Sequence, residues 1–598
     1  MRDKIKWLWR YYRRHKKVIA ILVTLTPIQA LVVVTIPRMV GFTIDYLRNG
    51  EISDHWLARV LEQLATRLDI PMGIMFGIGF VVLGAISFIM YAYFQSWRAW
   101  MNIRLEWHFR QDAFDNVTTK GPDFFNRFRT GDLVTRMTDD VAEKLSWFAC
   151  SGIFRTYEAT LYIVFVVAMM ISIDAKLTLW TAGPLPVLIL VFFLSSSLLD
   201  RRYDHLQTRI SRFNDIMEAC FSGVRVVKAY VREPAQKRKF EDAARDRRQA
   251  EIDAVKVTRV VDSLYNYIWQ LGVVIVLLAG GYRVFHAGLS IGDLATFIYY
   301  VVWLVFPMFD IGQFLVKSRQ SAVSINRLTA LENMPPMVED AGGLCPDSTT
   351  SSDLNLDSIS FSFRESARRI LDELTIDIPS GSTIALVGKV GSGKSWLVNL
   401  IPRLVDPTGG QISLDGHQLR EFRLEDLRAN IGYVPQEPVL FSDTIRNNIV
   451  FGREGISDAV IEWAIEVAQL TTEVATFPKG LDTEIGVRGM SISGGQKQRL
   501  ALARALVGKP RILLLDDCTS ALDSRTESVL WERLHAVMPE LTAILVTHRP
   551  DTLERADRIF VLDSGRIVEI GRHQELMAAG GLYASIYRRY QLEEQVAG

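Results

Sequence analysis

The chain has 598 residues, too many for one hydrophobic core, so several domains are expected. Hydrophobic residues make up 49% and charged residues 23%, and a net charge of +1 offers no global field for nucleic acid. Four widely spaced cysteines, Cys150, Cys220, Cys345 and Cys518, form no CxxC pair; this argues against a metal cluster or disulfide framework and suits a reducing cytosolic side.

The N-terminal 17 residues are basic and aromatic, and the apolar segment behind them is too long for a signal peptide and lacks a small-residue cleavage site. Residues 5–12 are expected to lie flat at a membrane interface, with Trp7, Trp9, Tyr11 and Tyr12 at headgroup level. Six apolar segments follow, near 18–40, 72–96, 153–172, 177–199, 264–285 and 294–316. A bilayer core of about 30 Å needs roughly 20 helical residues, so each is a candidate span. The third carries Arg155 and Glu158, three residues apart, which are expected to pair with each other. The links after the second and fourth spans are long, charged and helical in pattern, as in 98–120 and 201–219. Lys and Arg crowd the N-terminus and are absent from 286–293, between the fifth and sixth spans. This asymmetry puts both termini and both long links in the cytoplasm of a multi-pass cell-membrane protein, in contact with the lipid bilayer. Span 6 carries Phe297, Tyr299, Tyr300, Trp303, Phe306 and Phe309, several of them on one helical face. A cavity for small amphipathic compounds and ordinary helix packing or lipid contact both fit that pattern. Asp310 suits a cationic substrate or a place near water at the cytoplasmic end.

After span 6 the composition changes. Residues 331–353 read as a Pro/Gly/Ser/Asp-rich linker between a membrane domain, 1–330, and a soluble α/β domain, 354–598, in which strands and helices alternate around a parallel sheet. Within it, Gly388-Lys389-Val390-Gly391-Ser392-Gly393-Lys394-Ser395 matches GxxxxGK[ST] between an apolar strand, 383–387, and a helix. Such glycines let backbone N–H groups wrap phosphates; Lys394 neutralises the β- and γ-phosphates of ATP, and Ser395 ligates Mg²⁺. The apolar run 513–515 ends in Asp516, a carboxylate placed to hold the same ion.

Further motifs in order make the chain closely similar to the ATP-binding cassette (ABC) family. Ile431-Gly432-Tyr433-Val434-Pro435-Gln436 resembles its Q-loop, which implies that Gln436 reaches Mg²⁺ and the attacking water. Ile492-Ser493-Gly494-Gly495-Gln496 resembles the LSGGQ signature, Ser520-Ala521-Leu522-Asp523 the D-loop, and His548 the switch histidine. Phe363 stands where the family often has an adenine-stacking tyrosine; stacking needs only the ring, and packing within a small antiparallel sheet is the other reading. Residues 483–489 resemble the exporter-specific X-loop, and 125–141 and 221–230 the loops that couple spans to cassette. Six spans followed by one cassette resemble the exporter-type half-transporter over the whole chain.

In this family two cassettes face head to tail, and the signature of one caps the γ-phosphate held by the other. The resemblance therefore implies that Ser493, Gly494, Gly495 and Gln496 complete a partner's site. Asp517 stands where the family usually has a catalytic glutamate, one methylene longer. The expectation is a degenerate-site subunit of a bacterial heterodimer, working with a second half-transporter that carries the glutamate. A homodimer tolerating Asp517, an exporter-shaped importer, and an ATP-gated regulatory protein are the alternatives.

Overall fold

The computed structural model describes residues 2–597 apart from 51, 53, 54, 347–351, 364–367, 487–491 and 519–523. The chain forms two units, Met1–Thr118 with Thr130–Asn333, and Thr119–Arg129 with Met334–Gly598.

The first unit is helical. It contains α1 (Arg2–Tyr12), α2 (Lys16–Asn49), α3 (Trp56–Leu68) and α4 (Met72–Thr118). The short helix α5 (Pro122–Arg127) belongs to the second unit. The first unit resumes with α6 (Thr130–Ile173), α7 (Ala175–Ala182), α8 (Pro184–Ser222), α9 (Val224–Ala229), α10 (Glu233–His286) and α11 (Ile291–Asn333). Among the described residues five helical stretches are long and apolar enough to cross a membrane: those holding α2, α4, α6, α10 and α11. The segment near 177–199 falls on α7 and α8, which part at Gly183, and several of its side chains lie outside the described residues.

The charged links are continuations of the spans. α4 has 47 residues, which at 1.5 Å per residue is about 70 Å, over twice the hydrocarbon thickness. Its apolar run ends at Trp97, Arg98 follows, and no proline interrupts the helix before Pro122. A core joins Val34, Val166, Met170, Leu177, Val276, Phe297 and Tyr300. The span 6 rings divide: Phe297 and Tyr300 enter this core, Tyr300 donating to the Val34 carbonyl at 2.8 Å, whereas Tyr299, Phe306 and Phe309 are exposed.

Two side-chain placements differ from what the sequence predicts. Trp7 and Tyr11 do not face outward: both are buried against Phe109 of α4, and the Trp7 indole donates to Glu332 at 3.0 Å, leaving Ile5 and Trp9 exposed. An amphipathic helix beside a bundle buries its rings where other aromatic side chains offer contact. Arg155 and Glu158 do not pair with each other. Glu158 accepts from Arg98 at 2.6 Å and from Tyr162 at 3.1 Å, while Arg155 lies 3.9 Å from Asp310. Tertiary partners on α4 and α11 displace the local pair.

The second unit holds two sheets. β1 (Leu354–Phe361), β2 (Leu371–Ile378), β4 (Gly409–Leu414) and β5 (His417–Gln418) form an antiparallel sheet in the order β2-β1-β4-β5. β3 (Thr383–Gly388), β6 (Ile431–Val434), β7 (Ile512–Asp516), β8 (Thr542–Val546), β9 (Arg558–Asp563) and β10 (Arg566–Gly571) form the other, ordered β10-β9-β3-β8-β7-β6. All pairs but β9–β10 are parallel. β3, β7 and β8 are buried at every position, as expected for central strands covered on both faces. In this unit Phe124 of α5 is buried and Lys120 donates to the Met334 carbonyl. Of the loop residues singled out from sequence, Arg129 closes that segment, Thr130 opens α6, and 221–230 spans the end of α8 and all of α9, with Phe221 and Tyr230 exposed.

Candidate active site

The strand order sets the site. β3 and β7 flank β8, so the loop after β3 and the carboxylates after β7 emerge at the same sheet edge, where ligands of parallel α/β sheets bind. Gly388 to Gly393 make the turn into the helix Lys394–Leu400. Gly393 has φ +104°, and a Cβ there would stand 2.6 Å from Leu371 Cδ2 and 3.0 Å from the Ile370 carbonyl oxygen. Only glycine fits. Ser392 is buried, while Lys389, Val390 and Gly391 are exposed on the rim. Lys394 Nζ donates to the Gly388 carbonyl at 2.8 Å and to that of Lys389 at 3.0 Å, which holds the ammonium inside its own loop.

Ser395 Oγ donates to Asp516 Oδ1 at 3.2 Å. A hydroxyl and a carboxylate side by side are hard oxygen donors, the set that suits Mg²⁺. Burial pushes the Asp516 carboxyl up, with the Ser395 hydrogen bond opposing, and it pushes the Lys394 ammonium down, with Asp516 and Asp517 opposing. A bound metal–nucleotide complex would bring charges that offset this burial. Gln436 is exposed on the loop after β6, and among the described residues no hydrogen bond joins it to Ser395 or Asp516.

Asp517 turns sharply away from β7 with φ +48°, and its N–H donates to the Val546 carbonyl at 2.8 Å. Its Oδ1 lies 2.8 Å from Nδ1 of His548, two residues beyond β8. Parallel pairing of β7 with β8 thus brings together two positions 31 apart that the sequence presents only as separate motifs. Cys518 is buried in the adjoining core and its thiol is pushed up by that burial, which makes it a packing residue.

Phe363 sits two residues past β1 and meets the Trp396 indole edge to face, with 4.8 Å between centroids. Both line a cavity of about 580 Å³ together with Gly391, Gly393, Lys394 and Ser395. Trp396 was not legible as a site residue from its motif. Its signal was a large aromatic directly after the GKS triplet, in the first turn of the helix.

The signature lies apart from this cavity. Ser493 caps the helix Gly494–Leu506: its hydroxyl accepts from the Gln496 N–H at 3.3 Å, and Gln496 Oε1 accepts from the Ser493 N–H at 3.0 Å. This reciprocal box leaves Gly494 exposed at the first turn, with Gly495 behind it. Among the described residues, no hydrogen bond or ion pair links Ser493 or Gln496 to Lys394, Ser395, Asp516 or Asp517. Residues 487–489 of the expected X-loop and 520–523 of the expected D-loop lie outside the described residues.

Residues 24–308 match the ABC transporter transmembrane region, and residues 371–520 match the ABC transporter family. The chain is 30% identical over 600 residues to a probable multidrug resistance ABC transporter ATP-binding/permease protein, YheI, of Bacillus subtilis, covering 100% of this chain and 99% of that one. It is also 30% identical over 552 residues to putative multidrug export ATP-binding/permease proteins of Staphylococcus aureus, covering 92% of this chain and 94% of theirs. The structure of a bacterial Atm1-family ABC exporter with ATP bound superposes with TM-score 0.78 at 25% identity, over 97% of this chain and 98% of the other. This chain belongs to the ABC transporter family, as an exporter-type half-transporter that joins a multi-pass membrane domain to an ATPase cassette and couples ATP hydrolysis to transport.

Proposed function

We propose that this protein is one subunit of a heterodimeric exporter of amphipathic compounds, drugs or lipids, whose own ATP site is slow and whose signature completes a faster site on a glutamate-bearing partner. The multidrug names of its relatives support the cargo class. The observation that carries the asymmetry is Asp517: a short carboxylate, turned by its backbone and drawn onto His548 at 2.8 Å. The signature helix, by contrast, keeps its full capping box. The first feature favours weak activation of water, and the second favours an intact cap for another chain's nucleotide.

In this reading Lys394 and the loop amides of Gly388, Lys389, Val390, Gly391, Ser392 and Gly393 bind the phosphates, and Phe363 supports the base. Ser395, Asp516 and Gln436 hold Mg²⁺, which when bound neutralises phosphate charge. His548 and Asp517 face the γ-phosphate end. Orientation follows the basic N-terminus, with both termini cytoplasmic.

The test is turnover with and without a partner. Purified alone, the chain should bind ATP and hydrolyse it slowly; co-expression with a half-transporter carrying glutamate after its Walker B aspartate should raise turnover about 10²-fold, the size of a positioned base. Fast turnover by the chain alone as a homodimer would refute the asymmetric reading.

A further inference from the structure

Helix α3 lies between the first and second spans and has three distinct arcs. Ala58, Leu61 and Ala65 are buried in a cluster with Met39 and Phe42 of α2 and Met72, Met75 and Phe76 of α4. Trp56, Val60, Leu64 and Leu68, each four residues after the last, are 64%, 42%, 42% and 61% exposed. Arg59, Glu62, Gln63, Thr66 and Arg67 are exposed and polar. At about 100° per residue these sets fall on successive arcs, bundle-facing, apolar, then polar, which overlap at one margin, where Arg67 falls between Trp56 and Val60. A helix surrounded by water would keep its second apolar arc polar. A helix buried between proteins would have no need of a polar arc.

Depth along the spans agrees. The first span's uncharged run, 18–37, is about 30 Å long, and Met39 and Phe42, which α3 covers, lie just past its end. The second span's uncharged run, 72–97, is about 39 Å, roughly 9 Å more than the hydrocarbon needs. α3 packs against the first turns of this run: a Leu61 methyl group lies 3.3 Å from where a Cβ would stand on Gly79, about 10 Å along α4 from Met72. α3 therefore covers the ends of both uncharged runs with its buried arc, at the level where the bilayer ends, and turns its exposed apolar stripe outward there.

We propose that α3 is a membrane-interface helix whose Trp56–Val60–Leu64–Leu68 stripe rests on lipid, at the boundary of acyl chains and headgroups. The leaflet is the one a single span away from the basic N-terminal segment, the outer leaflet in the orientation proposed above. Trp56 sits at the depth that indole rings favour, Arg59 lies on the polar side of the stripe, and Arg67 lies at its margin, both within reach of anionic headgroups. The helix ties the outer ends of the first two spans to the leaflet surface.

Site-directed spin labelling of the full chain in phosphatidylcholine/phosphatidylglycerol vesicles tests this. Cys220 and Cys345 are replaced by serine, the buried Cys150 and Cys518 are kept, and Val60→Cys, Leu64→Cys and Gln63→Cys are labelled one at a time. Parental affinity for ATP reports that each variant is folded. Labels at 60 and 64 should collide more with lipid-soluble oxygen than with an aqueous nickel chelate, and the label at 63 should show the reverse order. Labels at 60 and 64 open to the chelate like that at 63 would overturn the proposal, showing a helix held clear of the membrane. Labels at 60 and 64 shielded from both reagents would overturn it too, showing a stripe covered by protein.

Discussion

The Arg98–Glu158 pair joins α4 to α6, and its removal should be among the most damaging single changes in the membrane domain. The guanidinium and carboxylate meet at 2.6 Å with side chains only 6% and 11% exposed. Tyr162 adds a second hydrogen bond to the carboxylate, and among the described residues Arg98 Nε has no hydrogen-bond partner. Glu158→Leu therefore strands a buried cation whose remaining hydrogen-bonding capacity is already incomplete. Breaking such a pair costs about 3–5 kcal/mol, whereas replacing both partners by apolar side chains of similar volume is often neutral or stabilising. At about 1.4 kcal/mol per tenfold, Glu158→Leu or Arg98→Met alone should speed irreversible thermal inactivation in nanodiscs by roughly 10²–10⁴-fold. The double variant should lie within about tenfold of the parent. The assay is the loss of monodisperse, ATP-binding protein with time at fixed temperature, run for all four members of the cycle. Single variants as durable as the parent would refute the reasoning, as would a double variant that decays at the product of the single effects. Either result would mean that the pair is solvated or its members act independently.

Three further outcomes are expected. Asp517→Glu extends the carboxylate by roughly 1.3–1.5 Å, and because a misplacement of about 1 Å can cost around 10²-fold, hydrolysis at this chain's own site should rise by up to that factor, measured with the partner's glutamate replaced by glutamine. Lys394→Ala should weaken ATP binding at this chain's site, measured by titration, while Ser493→Arg should leave that binding intact and cost the heterodimer more turnover; equal losses would contradict the division of labour. Trp396→Ala removes the ring that supports Phe363, a contact of about 0.5–1.5 kcal/mol, so ATP affinity should fall roughly 2- to 12-fold, read by displacement of a fluorescent nucleotide.

Local order carried most of the architecture. Runs of about 20 apolar residues can exist only as spans or a buried core, and the P-loop glycines, the cap of the signature helix and the apolar strand ending in Asp516 are all written in contiguous residues. Such features are legible because their physics acts over a few neighbouring positions. The tertiary structure decided whatever depends on partners distant in sequence. Arg155 and Glu158 are one helical turn apart, yet each takes its counter-ion from another helix. Trp7 and Tyr11 turn inward because Phe109 is there to meet them. Asp517 reaches His548, and Trp396 reaches Phe363, only because sheet order and chain crossing place them side by side. A charge or a ring in a low-dielectric interior is governed by its nearest partner in space, and adjacency along the chain selects that partner only when the fold offers nothing better.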